Sequence, residues 1–254
     1  MFTEFSNEYI EFWEYEYLKN IHNSLVLDKE RMIDGFLTKE DIRGEWEEFL
    51  GKETSDFAVG SERIFYWLFN QFGQPNSSPI GSDLFFETYN AYIHIDIKTV
   101  TTDNIGDING SIFVGDNQNS YLGNINVRTG KSREYNGNLP PIYTKKDGKR
   151  KICLTYFICI LYSGNGEIEF ISLMCMPNGN LNNVYGDKVL RAGKNPGKIR
   201  FNFCETSTFE ILEDKPSRIK FVLVNPEMDD VIKSRASKIL KFYNKDEAIN
   251  EKVE

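Results

Sequence analysis

The residues with the clearest chemical potential lie in the run Tyr92-Ile-His-Ile-Asp-Ile-Lys98. In a β-strand alternate side chains point to the same face, so the three isoleucines form an apolar face and His94, Asp96 and Lys98 share the opposite one. A carboxylate and an ammonium two positions apart on a core strand are costly to bury without a partner or a function. The alternative interpretation is an ion pair at a sheet edge. We leave His94 out of the catalytic set, because a lone histidine beside a carboxylate is more often a structural neighbour.

A second carboxylate, Asp83, lies 13 residues before Asp96 at the start of the preceding predicted strand. If the two strands are neighbours, Asp83 and Asp96 converge on one hard cation, and Mg²⁺ needs few protein carboxylates. Lys98 would then position the attacking water or stabilise charge building on phosphorus. These residue types therefore point to phosphodiester hydrolysis. Glu87 is a weaker alternative to Asp83 as the metal ligand.

The pattern Ser82-Asp83, followed by Asp96-Ile-Lys98, resembles the PD-(D/E)XK nuclease signature in the D-x-K variant of EcoRV-type restriction endonucleases. Ser82 stands where that signature usually has proline. The resemblance implies that the acidic residues bind Mg²⁺ and that the lysine serves the hydrolytic water. It also matches Glu62 to a metal-binding glutamate on a helix ahead of the motif, although an acid in a first helical turn also complements the helix dipole.

The same resemblance implies a type II restriction endonuclease that cuts double-stranded DNA at a specific sequence. A homodimer is expected, and the aromatic-rich N-terminal helix is predicted either to pack on the core or to form the dimer contact. A cognate DNA methyltransferase is expected in the same system, but not as a stable complex. Two alternatives stay open: a repair or structure-specific nuclease on the same core, and a non-catalytic β-rich DNA-binding module in which Asp96 and Lys98 form only an ion pair.

DNA contacts are predicted downstream of the motif. Residues 128–200 carry 13 basic and 5 acidic side chains, although the whole chain has a net charge of −8, and such a block suits a polyanion. A solvated lysine-rich loop is the alternative. Amide side chains before the block can pair with adenine, and the basic residues suit phosphates. The predicted DNA-binding residues are Asn117, Gln118, Asn119, Arg128, Lys131, Arg133, Lys145, Lys146, Lys149 and Arg150; Lys151, Arg191, Lys194, Lys198 and Arg200 are further phosphate candidates.

Hydrophobic periodicity and turn residues predict the elements that position these side chains. Helices are predicted over 7–23, with Ile10, Trp13, Tyr17 and Ile21 on the apolar face, from Thr38 to about Leu50, from Glu62 (capped by Ser61) to Phe72, and from Pro226 to about Tyr243. Strands are predicted at Leu84–Phe86, Tyr92–Val100, Ile152–Tyr162, Glu167–Met176, Ile199–Phe203 and Ile219–Val224. The nearly continuous apolar character of Ile152–Tyr162 indicates a central strand covered on both faces.

The predicted fold is α/β, with a mixed central β-sheet flanked by helices, like a restriction endonuclease, and extended loops for DNA recognition. We expect a single endonuclease domain over 1–254. Its parts are a helical region (1–58), the catalytic core motif (59–101), recognition loops and central strands (102–200), and closing strands with the C-terminal helix (201–254).

Composition limits the remaining possibilities. The chain of 254 residues is 40% hydrophobic and 27% charged, which excludes a disordered protein. No apolar run is long enough for a membrane span, so we expect a cytoplasmic protein without a membrane partner. The four cysteines form no C-x-x-C pair and are predicted to be buried free thiols. With two histidines, a His-rich metal centre is improbable.

Overall fold

The computed structural model describes residues 3–52, 57–69, 83–126, 131–164, 166–193 and 198–250. Its helices are α1 (Asn7–Leu27), α2 (Lys29–Leu50), α3 (Phe57–Phe69), α4 (Asn182–Tyr185), α5 (Asp230–Arg235) and α6 (Ser237–Asn250). Its strands are β1 (Leu84–Glu87), β2 (Ala91–Thr101), β3 (Ile112–Val114), β4 (Leu122–Asn126), β5 (Ser132–Asn136), β6 (Ile142–Thr144), β7 (Arg150–Tyr162), β8 (Ile168–Met176), β9 (Leu190–Ala192), β10 (Ile199–Phe201) and β11 (Ile219–Val224).

The main sheet is mixed, as predicted. Its order is β1-β2-β7-β8-β11, and β6 also pairs with β7. Strands β2 and β7 run parallel, whereas the other pairs are antiparallel. Strands β7 and β8 are buried along most of their length, because both faces of the sheet are covered. The prediction that Ile152–Tyr162 forms a central strand is therefore confirmed.

Helix α1 packs against the sheet with Ile10 and Ile21 buried, as predicted, but the rest of its buried face differs from the prediction. Trp13 and Tyr17 are only half-buried; their rings contact each other at a tilted angle, and Trp13 also contacts Tyr89 in the β1–β2 turn. The buried face instead includes Glu11 and Glu14. Both carboxylates form ion pairs with Arg218, whose side chain is fully buried. The spacing of apolar residues could not predict this face, because the face includes two charged side chains that are buried only through their ion pairs in the core.

Several predicted helix boundaries are wrong. Helix α2 begins at Lys29 rather than Thr38, and it continues almost directly from α1. Helix α3 begins at Phe57, so Ser61 does not cap it; its hydroxyl donates to the carbonyl oxygen of Phe57 at 2.8 Å. The predicted end of this helix at Phe72 lies outside the described residues. The final helical region begins at Asp230, where the Asp229 carboxylate caps the first turn.

Two smaller sheets lie between the strands of the main sheet in sequence. Strands β3, β10 and β9 form a three-stranded antiparallel sheet, and β4 pairs with β5 as a separate ribbon. Strands β3, β4, β5 and β9 lie within 102–200, the region predicted to contain recognition loops and central strands. All four cysteines are free thiols, three of them buried. No helix in the described part of the chain is both long and apolar enough to cross a membrane.

Candidate active site

The antiparallel register of β1 and β2 brings the two predicted carboxylates together. Leu84 pairs with Ile95, so Asp83 comes beside Asp96 at the end of β1. The Oδ2 atom of Asp83 accepts a hydrogen bond of 2.6 Å from the backbone N–H of Ile97. This bond joins Asp83 to Ile97, two residues with 13 others between them in the sequence. The convergence follows from one short turn between adjacent strands.

Asp96, Lys98 and Gln118 form a closed polar group. The ammonium of Lys98 forms an ion pair with Asp96 Oδ1 and donates to Gln118 Oε1 at 3.1 Å. The side-chain amide of Gln118 donates to Asp96 Oδ2. Asp96 is only 2% exposed, because this face of β2 is covered as well as the apolar face. Lys98 keeps more contact with solvent, and its Nζ lies 5.6 Å from the centre of the Phe157 ring.

Burial dominates the electrostatics of this group. It is the largest cause that raises the pKa of Asp96 to about 6; the charges of Asp83 and Glu62 add to the rise, and the Lys98 ammonium opposes it. Burial also raises the pKa of Asp83, against the hydrogen bond from Ile97 and the charge of Lys98. Two desolvated carboxylates of like charge are stabilised by a cation, so this pair suits a divalent ion.

His94 is the third member of the polar face. Burial, with the Lys98 charge, lowers the pKa of its imidazole to about 4. Neither ring nitrogen has a hydrogen-bond partner within the part of the chain that the structure describes. His94 is therefore a neutral, buried side chain at neutral pH.

Glu62 lies in the second turn of α3 and is exposed. The helix begins at Phe57, so the alternative interpretation of Glu62 as a first-turn acid is wrong. Its charge contributes to the raised pKa of Asp96. Within the described ranges, no group of three or more His, Cys, Asp or Glu side chains is placed to hold a metal ion. The structure thus brings Asp83 and Asp96 together without adding Glu62 as a third ligand.

Glu87, the alternative metal ligand, lies at the other end of β1. It is four residues from Asp83, or about 13 Å along the strand. Its Oε1 forms ion pairs with Lys145 at 2.5 Å and Lys151 at 2.8 Å. Glu87 is therefore an anchor for two lysines and not part of the Asp83–Asp96 pair.

The three amide residues that are predicted to contact bases differ in their burial and in their partners. Gln118 contacts Asp96 and Lys98, and Asn117 is half-buried in the same 3-10 turn. Asn119 is fully buried, and its amide donates to the carbonyl oxygen of Gly115 and the hydroxyl of Tyr135. Asn119 exposes no side-chain surface in the DNA-free chain, and its role in base reading stays a prediction.

The predicted phosphate contacts fall into separate groups. Arg133 is exposed on β5 and Lys131 is exposed just before it, whereas Arg128 lies outside the described residues. The turn between β6 and β7 carries a second group, of which Lys146, Lys149 and Arg150 are exposed and Lys145 is paired with Glu87. Because Lys98 pairs with Cys159 on β7, this second group is about 30 Å from Lys98 along the strand.

A cleft of about 520 Å³ opens beside Lys98, between β2 and the small sheet. Lys198 and Arg200 line its opposite wall. Arg200 is held in place by Asp107, at 3.1 Å, and by the hydroxyl of Ser111, at 2.9 Å. The Nζ of Lys198 lies 4.6 Å from the centre of the Phe113 ring. The cleft therefore places three cationic side chains around a space next to the paired carboxylates.

Comparison with known proteins identifies the family. Residues 7–166 match the family model of the N-terminal domain of the type II restriction enzyme MwoI, and residues 168–224 match the model of its central domain. The chain belongs to the MwoI family of type II restriction enzymes. The boundary between the two matches in this MwoI-family chain falls in the turn between β7 and β8, which are adjacent strands of one sheet.

Solved structures support the same fold. The restriction endonuclease BglI, crystallised bound to its DNA recognition sequence, is 15% identical, with a TM-score of 0.64 over 84% of this chain and 90% of BglI. The tetrameric restriction endonuclease SfiI, bound to cognate DNA, is 16% identical, with a TM-score of 0.63 over 89% of this chain and 88% of SfiI. No curated protein gives a significant match.

The predicted restriction-endonuclease fold and the prediction of a type II restriction endonuclease are therefore confirmed. The MwoI-family membership favours this enzyme class over the non-catalytic module and the repair nuclease. Sequence reasoning missed the contact of Gln118 with Asp96 and Lys98, because no spacing rule joins residues that lie 20 and more positions apart in a loop and a strand.

Proposed function

We propose that this chain cuts double-stranded DNA at a specific sequence in a Mg²⁺-dependent reaction, with Asp83, Asp96 and Lys98 as the catalytic residues. The observation that carries the proposal is the convergence of two desolvated carboxylates and a lysine at one end of β2. Family membership supports the proposed enzyme class, and the geometry supports the choice of these three residues.

The donor set fits Mg²⁺. This ion binds proteins through one or two carboxylates and keeps its other positions for water and phosphate oxygens. Asp83 and Asp96 provide such a pair, and burial raises the pKa of both carboxyl groups although the Lys98 ammonium opposes the rise. Bound Mg²⁺ would act as a Lewis acid on the phosphate and lower the pKa of a coordinated water. Glu62 remains a proposed third contributor, acting through its charge.

The chain's own residues have separable parts in this reaction. Asp83 is fixed to β2 by the Ile97 N–H, which keeps its carboxylate beside Asp96. Lys98 is held by Asp96 Oδ1 and Gln118 Oε1 at the wall of the cleft. An ammonium in this position stabilises negative charge that develops on phosphorus and orients the attacking water. The low exposure of Asp96 strengthens each of these interactions, because water does not screen them.

The cleft supports a phosphodiester as the substrate group. Lys198 and Arg200 face the same space as Lys98, so a phosphate beside the carboxylate pair meets cations on two sides. Further phosphate contacts come from the exposed residues of β5 and of the β6–β7 turn, and Asn117 and Gln118 lie on the loop nearest to the site. BglI and SfiI were crystallised with DNA. Double-stranded DNA is accordingly the proposed partner, and the cytoplasm is the proposed location of the protein.

A homodimer is the proposed working form. Two scissile phosphates in a palindromic duplex are related by a twofold axis, and a C2 dimer presents one site to each strand. The aromatic residues of α1 pack within the chain, whereas α2 exposes apolar side chains that include Trp46 (53%) and Phe49 (79%). Sedimentation that shows only monomer, free and on DNA, would contradict the dimer. A cognate methyltransferase, not stably bound, belongs to the same proposal.

One experiment tests the proposed function directly. Plasmid DNA is incubated with the protein and Mg²⁺, with Asp96→Ala and an EDTA-containing reaction as controls. Discrete bands with wild-type protein, and none in the two controls, are expected. A smear would indicate a nuclease without sequence specificity, and a mobility shift without cutting would favour the non-catalytic alternative.

A further inference from the structure

Gln118 is the side chain that joins Asp96 to Lys98. Its Oε1 accepts hydrogen bonds from Lys98 Nζ at 3.1 Å and from the backbone N–H of Gly115 at 2.8 Å. Both of these groups are donors, so the amide nitrogen must be the atom that faces Asp96 Oδ2. The orientation of the amide therefore follows from its surroundings.

The loop that carries Gln118 is closed on itself. The backbone N–H of Gln118 donates to the carbonyl oxygen of Gly115 at 3.1 Å, and the buried amide of Asn119 donates to the same oxygen at 2.9 Å. Asn119 also accepts from the backbone N–H of Tyr121 at 3.0 Å. The turn is thus held on both sides of Gln118, and its side chain reaches the active site from a fixed base.

This arrangement affects access to Asp96. One carboxylate oxygen faces the Lys98 ammonium, and the other accepts from Gln118. Asp96 is 2% exposed, so the Gln118 amide covers the oxygen that the lysine leaves available. A divalent cation that approaches this oxygen meets the positive end of an N–H dipole. Coordination by Asp96 through Oδ2 therefore requires the Gln118 amide to move away.

We propose that Gln118 is a positioning residue: its Oε1 holds Lys98 in place with and without metal, whereas its amide N–H covers Asp96 Oδ2 and must leave that oxygen before a divalent cation binds there. The inference rests on the proposed function and deepens it. Because Asn117 neighbours Gln118 in the same turn, a movement of this turn on DNA would alter the metal affinity of the site.

The test measures metal binding and cleavage separately. Gln118→Met keeps the length of the side chain and removes both polar ends. Binding of Mn²⁺ alone to the DNA-free protein is followed by the loss of the electron paramagnetic resonance signal of free Mn²⁺. We expect at least threefold tighter Mn²⁺ binding, because Asp96 Oδ2 is uncovered. Cleavage at saturating Mg²⁺ should fall at least tenfold, because Lys98 loses its contact with Gln118 Oε1.

Two further variants make the result specific. Gln118→Glu keeps an acceptor for Lys98 and Gly115 but replaces the N–H donor by a negative charge, so Mn²⁺ should bind more tightly than to wild type. Asp116→Ala changes an exposed neighbour in the same turn and should leave both measurements unchanged. A merely structural role for Gln118 would weaken metal binding and cleavage together. Thermal melting of each variant checks that it is folded.

The outcomes separate this inference from the proposed function. If wild type cuts DNA and both Gln118 variants bind Mn²⁺ no more tightly than wild type, the inference is overturned and the proposed function stands. If the wild type does not cut DNA and Asp96→Ala binds Mn²⁺ as tightly as the wild type does, the proposed function fails, and the inference fails with it. Tighter Mn²⁺ binding together with slower cleavage in Gln118→Met supports the inference.

Discussion

Asp83 is tied to Ile97 by a hydrogen bond of 2.6 Å between a carboxylate oxygen and a backbone N–H. Ile97 lies between Asp96 and Lys98 in β2, so this bond attaches the first acid of the pair to the backbone that carries the other two proposed catalytic side chains. The relative positions of all three therefore depend on one strand and its immediate neighbour.

Substitutions of Asp83 should separate its structural and chemical parts. Asp83→Asn keeps an oxygen that accepts from Ile97, whereas Asp83→Ala removes it; a hydrogen bond to a charged group contributes about 1.5–3 kcal/mol. We expect both variants to lose cleavage at least about a hundredfold, and only Asp83→Ala to unfold at lower urea concentration. Cleavage at the wild-type rate by Asp83→Asn would contradict a metal-binding role.

Asp96→Ala should abolish cleavage and leave specific DNA binding measurable with Ca²⁺ in place of Mg²⁺. The reason is that Asp96 is buried beneath Gln118 and does not reach base edges. Lys98→Ala should be similarly inactive. Gel shifts in Ca²⁺ and plasmid cleavage in Mg²⁺ provide the two measurements. Near wild-type cutting by Asp96→Ala would remove this site from the reaction.

Glu62→Ala should reduce cleavage by no more than about tenfold. Glu62 is exposed, and the described residues do not group it with Asp83 and Asp96 as a metal site, although its charge raises the pKa of Asp96. Steady-state cleavage at several Mg²⁺ concentrations provides the measurement, with Arg63→Ala on the same exposed part of α3 as the matched control. A loss as large as that of Asp83→Ala would make Glu62 a metal ligand.

Lys198→Ala should weaken binding equally on cognate and random duplexes. Each phosphate contact contributes about −0.9 to the slope of log K against log salt, so the slope should flatten by roughly one unit if this lysine contacts a phosphate from the cleft. Lys215→Ala, an exposed lysine paired with Glu210, serves as the control. A loss confined to cognate DNA would instead make Lys198 a base reader.

Arg218→Met should be strongly destabilising, and more so at high pH. Removing one partner of a buried ion pair costs about 3–5 kcal/mol, and Arg218 faces both Glu11 and Glu14. Burial raises the pKa of Glu14 to about 7. Below pH 4.5 the proton is on Glu14 in both folded and unfolded chains; as the pH rises through 7 the folded protein must hold a charged Glu14, so the free energy of unfolding falls.

The measurement is urea denaturation of wild type and Arg218→Met at pH 5 and pH 8. We expect the difference between the two proteins to be larger at pH 8, because loss of the guanidinium raises the pKa of Glu14 further and the folded variant must either keep Glu14 protonated or hold an unpaired charge. An equal difference at both pH values would mean that Glu14 does not titrate in this window.

Strand β2, which carries Asp96 and Lys98, was largely predictable because the sequence features that identify it lie within a few residues of each other. Alternation of apolar and polar residues predicts β2 and the shared face of Asp96 and Lys98, and a continuous apolar run predicts β7 as the central strand. Asp83 followed as well, since a short turn between adjacent strands leaves few possible registers. These features depend on backbone period and burial, which a single sequence records.

The remaining features depended on contacts between distant segments. Glu11 and Glu14 read as solvent-facing acids in sequence, yet Arg218, more than 200 positions away, makes them part of the core. Asn117, Gln118 and Asn119 look alike as an amide run, but loop closure buries Asn119 and turns Gln118 toward Asp96. The sequence determined which strand carries the proposed catalytic residues. Only the tertiary structure decided which side chains complete it, because a hydrogen bond depends on positions in space that spacing along the chain does not specify.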